Sequence, residues 1–218
     1  VANPFEHESA VTSVAISKDK NTIVSGTFDG KVHLWDRGGK PISSPFEQHK
    51  ASVWSVIISD DGKIIGSSGD TGKIFLWNRK GELITNAIEE DIVSTRSIAI
   101  DTKKQILVSG GYDQLRGHQH YINSLDIDHQ REIIASGSSD TTIRLWDNQH
   151  DFISSPFVAH NEGDNNSIGV NSVDISNDGQ TIVSGGRDNK VRLWYRTGNL
   201  IAPPFEGHRY WVTSVDLS

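Results

Sequence analysis

The sequence predicts an all-β protein built from small antiparallel sheets of four strands each. Three observations support this prediction: one motif returns about every 42 residues, each period contains short apolar stretches separated by turn residues, and no stretch has the apolar spacing of an amphipathic helix. The chain has 218 residues, of which 35% are hydrophobic, so it is long enough for one large domain with an apolar core.

The repeat is clearest in the spacing of Trp and His residues. Trp35 and Trp77 are 42 residues apart, and the same interval separates His118 from His160. A fixed period of this length indicates tandem structural units that pack against their neighbours. The predicted repeats, within a single domain at 1–218, are 5–45, 46–87, 88–114, 115–155, 156–203 and the partial repeat 204–218.

Two intervals deviate from the period. Six extra residues fall within 161–169, a polar stretch that we expect to be an enlarged surface loop. Fifteen residues are missing between Asp113 and His118, so the third repeat has no Trp strand. We expect this third unit to be the least stable one, unless its last strands are missing from the sequence. The segment 212–218 resembles a first strand with nothing after it, which predicts a partial array.

Each period contains four strand candidates with different patterns. The first, such as 53–59, is apolar on both faces and must be covered on both sides. The second follows a turn such as Asp61-Gly62, the third carries the Trp, and the fourth, around residues such as 82–85, is poor in apolar residues. Because one such sheet cannot bury both of its faces, neighbouring sheets must cover them, and the pattern predicts the radial arrangement of a β-propeller.

His, Ser, Asp and Trp recur together in the complete repeats. Nucleophilic catalysis needs one His–Ser–Asp constellation, whereas several identical copies indicate a structural hydrogen-bond network. In that network the carboxylate accepts from the imidazole, and the imidazole and the indole both meet the hydroxyl. The predicted network residues are His7, Ser25, Asp29, Trp35, His49, Ser67, Trp77, His118, Ser136, Asp140, Trp146, His160, Ser184, Asp188, Trp194 and His208.

Two repeats depart from this pattern. In the second, Asp70 comes one place early and Thr71 stands where the first repeat has Asp29, so its network must be altered or reached by a shifted turn. In the third, Asp91 replaces the His, and its network cannot form as in the others.

The Gly-His, Ser-Gly-x-x-Asp and Leu-Trp-Asp segments at these offsets resemble the WD-repeat (WD40) β-propeller family over essentially the whole chain. The Trp-Asp dipeptide stands at Trp35 and Trp146, while Trp77 and Trp194 are followed by Asn and Tyr. The Pro-Phe-x-x-His segments are most similar to bacterial arrays. The resemblance implies a ring of seven blades in the commonest form, of which five to six are represented here. It also implies a non-catalytic scaffold or sensing module of a signalling protein, possibly fused to an effector domain.

The resemblance further implies which face meets a partner protein or peptide. Three positions per repeat point to that upper face: His plus three, His plus five, and the residue before the Asp. These residues differ between repeats, and several are the Trp, Tyr and Arg types enriched in interface hot spots. They are Phe28, Ser52, Trp54, Arg96, Tyr112, Tyr121, Asn123, Ser139, Asn171, Arg187, Trp211 and Thr213.

Two other functions remain open at this point. A propeller enzyme, a hydrolase or lyase, would need polar groups near the axis, and the candidates Arg96, Asn123, Asn171 and Arg187 include no free general base. A lectin that binds glycans or small ligands through exposed aromatic residues is the third alternative.

Composition excludes several further classes. The formal charge of −7 argues against nucleic-acid binding, and no apolar run is long enough to span a membrane. Without Cys the chain has no disulfides and no Cys-based metal site, which fits the cytoplasm. The glycine-rich segment 66–74 lacks the spacing of a phosphate-binding loop, so we expect a turn there. We expect no cofactor and no metal site.

Overall fold

The computed structural model describes only strands, turns and loops, which confirms the all-β prediction. Within the described ranges there are 17 strands and no helix, and so no helical segment capable of crossing a membrane. The chain forms two compact units, Val1–Gly111 and Tyr112–Ser218. The described residues are 5–89, 94–101, 106–111, 117–128, 130, 132–147, 149, 151–162 and 168–217.

The first unit contains three antiparallel sheets, with their strands in chain order. The first sheet is β1 (Val11–Ile16), β2 (Thr22–Thr27) and β3 (Val32–Asp36). The second is β4 (Val53–Ile58), β5 (Ile65–Gly69), β6 (Lys73–Trp77) and β7 (Ile88–Glu89). The third has β8 (Thr95–Asp101) and β9 (Ile106–Gly111).

The second unit contains two sheets of four antiparallel strands, again in chain order. One is β10 (Ile122–Asp128), β11 (Ile133–Ser138), β12 (Thr142–Trp146) and β13 (Phe157–Val158). The other is β14 (Val170–Ile175), β15 (Thr181–Gly186), β16 (Lys190–Tyr195) and β17 (Phe205–Glu206).

Two strand predictions are wrong in detail. The segments predicted as fourth strands make single bridges, such as Trp77 with Leu83, and the paired fourth strand follows a few residues later at Ile88–Glu89. The predicted first strand at 212–218 is not a strand in its described part. Its Val212 N–H nevertheless donates to the Gly186 carbonyl at 3.0 Å, so the segment follows the sheet before it.

The third sheet differs from its neighbours, as the missing Trp strand predicts. It has only two strands in the described part of the chain. Leu107 and Val108 of β9 are half-exposed, whereas the matching positions of β11 are buried. Whether this sheet is the least stable one remains a prediction, and residues 112–116 lie outside the described part of the chain.

Apolar residues between consecutive sheets form the core of each unit. In the first unit, Val24 and Leu34 of the first sheet pack with Val53 and Trp77 of the second, and Trp77 is fully buried. Burying such side chains stabilises the fold by about 1.5–3 kcal/mol each. A Cβ atom on Gly26 would lie 2.6 Å from Cγ1 of Val53, so this glycine lets the next sheet approach.

Within each unit, serine side chains also link consecutive sheets by hydrogen bonds to the backbone. Ser13 accepts the N–H of Val56 at 3.1 Å, and Ser55 accepts that of Ile98 at 3.3 Å. In the second unit Ser124 accepts the N–H of Val173, at 3.1 Å. These serines lie six residues after the position of the repeat His and beside the bulge in each first strand. The bulge aims the hydroxyl across the gap between the sheets.

We predict that Ser55→Ala lowers the free energy of unfolding by about 1–3 kcal/mol, because it leaves the N–H of Ile98 without its acceptor. Urea unfolding followed by circular dichroism measures this loss. Ser214→Ala is the matched control, since Ser214 holds the same repeat position but is exposed. Equal loss in both variants would contradict the role of the serine link.

Candidate functional site

The complete network is seen in the fourth repeat. His118 Nε2 lies 2.8 Å from Ser136 Oγ, and the Trp146 indole donates to the same oxygen at 2.8 Å. His118 Nδ1 lies 2.8 Å from Asp140, which also accepts from Thr142 at 2.6 Å. Burial alone would raise the pKa of Asp140, but these hydrogen bonds outweigh it and hold the pKa well below its usual value.

The fifth repeat repeats this geometry with one addition. His160 lies 2.8 Å from Ser184 and 2.7 Å from Asp188, and the Trp194 indole donates to Ser184 at 2.8 Å. Asp188 accepts a second charged hydrogen bond from the buried Arg192 at 2.5 Å. Burial would raise the pKa of Asp188, but the bonds from His160 and Arg192 lower it below its usual value.

In the first repeat the structure brings His7, Ser25 and Trp35 together but not Asp29. His7 lies 2.7 Å from Ser25 Oγ, and the Trp35 indole donates to that oxygen at 2.9 Å. The prediction of a hydrogen bond between His7 and Asp29 is wrong. The Asp29 carboxylate instead accepts a hydrogen bond from Thr27 at 2.5 Å and pairs with Lys31 at 3.5 Å. Local partners outcompete the imidazole.

The second repeat has the altered network that its shifted Asp predicts. His49 lies 2.8 Å from Ser67, and the Trp77 indole donates to Ser67 at 3.1 Å. His49 Nδ1 and Thr71 Oγ1 are buried and have no hydrogen-bond partner among the described residues. Burial lowers the pKa of His49 to about 4, since no carboxylate stabilises its charged form.

Two expected network positions contribute nothing further. His208 is exposed, and no network serine contacts it in the described part of the chain. Asp91, the residue in place of the third His, lies outside the described residues. Ser67, Ser136 and Ser184 are 0% exposed, so a substrate cannot reach their hydroxyls, and the recurrent groups serve the fold.

We predict that Thr71→Asp stabilises the protein at pH 7 by about 1–2 kcal/mol, because a carboxylate at this position gives His49 Nδ1 the partner that His118 finds in Asp140. In the parent protein His49 titrates near pH 4 when folded and near 6.5 when unfolded. The unfolded state therefore binds the proton first, and stability is lost as the pH falls from about 6.5 to about 4.

Thermal unfolding between pH 4 and 8 tests this prediction. Thr71→Asp should reduce the loss at acid pH, since the carboxylate favours the protonated imidazole. Thr71→Asn is the control: its amide accepts a hydrogen bond but carries no charge, so the acid loss should persist. Identical profiles for the Asp variant and the parent would contradict it.

The positions outside the network assemble into a first rim cluster, made of Phe28, Trp54, Asp70, Ser94 and Arg96. The Trp54 indole donates to Asp70 at 2.5 Å, and Ser94 donates to the same carboxylate oxygen at 3.1 Å. The Arg96 guanidinium lies over the Trp54 ring at 5.2 Å, and Phe28 meets this ring edge-on at 6.0 Å. The shifted Asp70 therefore belongs to the rim and not to the network.

A second rim cluster, in the other unit, is made of Asn123, Ser139, Asn171, Arg187 and Trp211. Asn123 donates to Ser139 Oγ at 2.8 Å, and Arg187 donates to Asn171 at 3.2 Å. The Arg187 guanidinium lies over the Trp211 ring at 5.3 Å. The structure thus links five predicted upper-face positions through Arg187, which bonds to Asn171 and Ser139 and lies against the exposed ring of Trp211.

The remaining predicted face residues take separate places. Ser52 is buried, and its carbonyl accepts the N–H of Asp70 at 3.1 Å. Tyr121 lies beside His120, with ring centroids 5.2 Å apart, and Thr213 is exposed. Tyr112 lies outside the described residues.

The sequence prediction missed Asp70, Ser94 and Thr12 as rim residues. Their offsets could have revealed them: Asp70 precedes Thr71, the position of the repeat Asp, while Ser94 and Thr12 lie three and five residues after the His position. Thr12 donates to the Val53 carbonyl of the next sheet at 2.6 Å, as Asn123 does to Val170 at 2.7 Å.

The sequence prediction also missed a row of carboxylates that begins on β10 and β14, the first strands of the two sheets in the second unit. Asp126 accepts the N–H of Ile175 at 2.9 Å, and Asp174 accepts that of Leu217 at 2.5 Å. Burial and the neighbouring Asp126 carboxylate raise the pKa of Asp174 to about 8. Burial and Asp174 also raise the pKa of Asp216. The Asp174 carboxyl is thus mainly protonated at neutral pH.

We predict that the free energy of unfolding decreases as the pH rises from 4 to 8, and that Asp174 causes this decrease. In this window the folded protein holds a proton that the unfolded chain, with a carboxyl pKa near 3.8, has already released. Asp174→Asn keeps an acceptor for the N–H of Leu217 but cannot ionise, so its melting temperature should decline less between pH 5 and pH 8. Differential scanning calorimetry at these pH values measures the difference, and parallel declines would contradict it.

Metal and phosphate sites receive no support from the geometry. Within the described ranges, no group of three or more His, Asp and Glu side chains could hold a metal ion. The segment 66–74 belongs to β5, β6 and the turn between them, as expected.

Comparison with known proteins gives one finding. The family model described as WD domain, G-beta repeat matches residues 2–36, 39–78, 113–147 and 155–195. These matches include the four strands that carry Trp35, Trp77, Trp146 and Trp194, and they leave out most of the third repeat and all of the partial sixth one. No curated protein matches the chain significantly.

Proposed function

Because the chain belongs to the WD40 repeat family, whose propellers generally mediate protein–protein interaction, we propose that it is a non-catalytic interaction module that binds a protein or peptide through its rim clusters. One observation carries the proposal. The residues that differ between repeats assemble into clusters of aromatic and arginine side chains, whereas the recurrent residues form buried hydrogen bonds within the sheets.

The composition and exposure of the clusters support binding. Phe28 is 57% exposed and Trp211 is 50% exposed, so each offers an apolar surface to a partner. Trp and Arg are the residue types that most often dominate the binding energy of protein interfaces. The Trp211 ring also lies beside the Arg187 guanidinium, a hydrogen-bond donor for a partner.

The clusters are also held in place before a partner arrives. Trp54 is fixed by its bond to Asp70 and by contacts with Arg96 and Phe28. Asn171 is fixed by the Val212 carbonyl, to which its amide donates at 3.0 Å. A side chain that is already ordered loses little conformational entropy on binding, which favours affinity.

The enzyme alternative, a hydrolase or lyase, needs an acid or base outside the recurrent network. Asp174 has the raised pKa that such a group requires. Its carboxyl group already accepts the N–H of Leu217, so it serves the backbone, and binding accounts for more of the structure. No specific contact favours the lectin alternative.

The wider setting is part of the proposal. We place the module in the cytoplasm as a scaffold or sensing part of a signalling protein, fused to an effector domain, as in the bacterial arrays that its Pro-Phe-x-x-His segments resemble. A seven-bladed parent ring belongs to the same proposal, as does the assignment of five to six blades to this chain.

We predict that Trp54→Ala and Trp211→Ala each reduce partner recovery about tenfold, because each removes the ring at the centre of a rim cluster. Affinity capture from a cell lysate, quantified by mass spectrometry, measures recovery. Tyr195→Ala is the matched control, since Tyr195 is 52% exposed but lies at the end of β16, outside both clusters. Unchanged recovery by both Trp variants, with their circular dichroism intact, would count against this face.

A further inference from the structure

The second rim cluster holds the Arg187 guanidinium, which has no acidic partner among the residues that the structure describes. Building on the function proposed above, we infer that Arg187 recognises a carboxylate of the bound peptide and that Trp211 packs against the apolar residue beside it. The partner is therefore an acidic segment in which Asp or Glu adjoins a large apolar or aromatic residue.

The bonds of Arg187 show that its charge is available. Nε donates to the side-chain oxygen of Asn171 at 3.2 Å, and Nη2 donates to Ser139 Oγ at 3.3 Å. Both acceptors are neutral. A guanidinium has five N–H donors in a planar fork, so three donors remain for a ligand.

Two neighbouring basic residues on β16 are neutralised by carboxylates. Arg192 pairs with Asp188 at 2.5 Å, and Lys190 pairs with Glu162 at 2.9 Å. Arg187 makes no such ion pair within the described ranges. Asp70 holds the position in the first rim cluster that Arg187 holds in the second. The two clusters therefore carry opposite charges at this position.

A second layer of hydrogen bonds holds the guanidinium in position. Asn171 donates to the Val212 carbonyl at 3.0 Å, which leaves its amide oxygen turned to Arg187. Asn123 donates to Ser139 at 2.8 Å and to the Val170 carbonyl at 2.7 Å. The Trp211 ring covers one side of the guanidinium. A fixed fork binds a carboxylate with two parallel hydrogen bonds and little loss of entropy.

The surroundings indicate the rest of the ligand. Trp211 is 50% exposed and the adjacent Tyr210 is 83% exposed, so apolar surface lies directly beside the charge. The chain carries a net charge of −7, which repels polyanions such as nucleic acid at long range. A ligand with one carboxylate next to an apolar side chain fits both the exposed aromatic rings and the negative net charge of the chain.

Nuclear magnetic resonance on the ¹⁵N-labelled chain tests the inference with two defined probes, the blocked tetrapeptides Ala-Phe-Glu-Ala and Ala-Phe-Gln-Ala. The Arg187 Nε–H and Trp211 indole N–H signals report on the site. We expect the Glu peptide to shift both signals and to bind about 3–10 times more tightly than the Gln peptide at low salt. Raising the salt should weaken the Glu peptide selectively.

Arg187→Gln should erase the difference between the two peptides and leave the Trp211 response. Arg209→Gln is the control, since Arg209 is exposed near Trp211 but makes no contact within the cluster, and it should preserve the difference. If Arg187→Gln fails to fold, Arg187→Lys, which keeps the charge but lacks the planar fork, should reduce the difference.

The outcomes separate this inference from the proposed function. If both peptides shift Trp211 equally and salt affects them equally, the carboxylate preference is wrong and peptide binding stands. If neither peptide shifts Trp211 at millimolar concentration, the second rim cluster is not a peptide site, and the proposed function fails there together with the inference.

Discussion

One buried hydroxyl oxygen in each complete sheet organises the rest of the structure. Ser136 Oγ lies between the His118 imidazole and the Trp146 indole, so it ties the segment before the first strand to the second and third strands. All three groups are buried, and a buried polar group without a partner destabilises the fold by about 1–3 kcal/mol. The His, Ser and Trp of this network therefore recur in the four repeats that have a Trp strand, while the rim positions differ between repeats.

The second repeat shows what happens when one network residue changes. Moving the carboxylate by one position, to Asp70, takes it from the imidazole and gives it to Trp54 and Ser94. His49 is left neutral, with an unpaired Nδ1, while the first rim cluster gains the group that fixes its central ring. Placing the carboxylate one position earlier in this turn therefore weakens the network at His49 and orders the rim at Trp54.

The sequence was sufficient for those features that depend on spacing alone. The 42-residue period predicts the first three strands of the complete repeats, the buried His–Ser–Trp contacts and the sheet without its Trp strand. It could not predict that Asp29 would bond to Thr27, because that choice depends on competing local partners at hydrogen-bond distance. The rim pairs were also missed: Asn171 reaches Arg187 and Val212 only because of side-chain directions set by the bulge in the first strand.

The position before the repeat Asp is where the rim acquires its charge. Asp70, Ser139 and Arg187 occupy it in three repeats, and in each case the side chain bonds to the second residue of the first strand, which is Trp54, Asn123 or Asn171. None of the three takes part in the His–Ser–Trp contacts of its sheet, so this position can be acidic, neutral or basic without altering the network. A fold held by recurrent buried groups can therefore change the charge that it presents to a partner at little loss of stability. Arg187, which has no counter-ion in the described part of the chain, is stabilised by two neutral acceptors and by an indole ring.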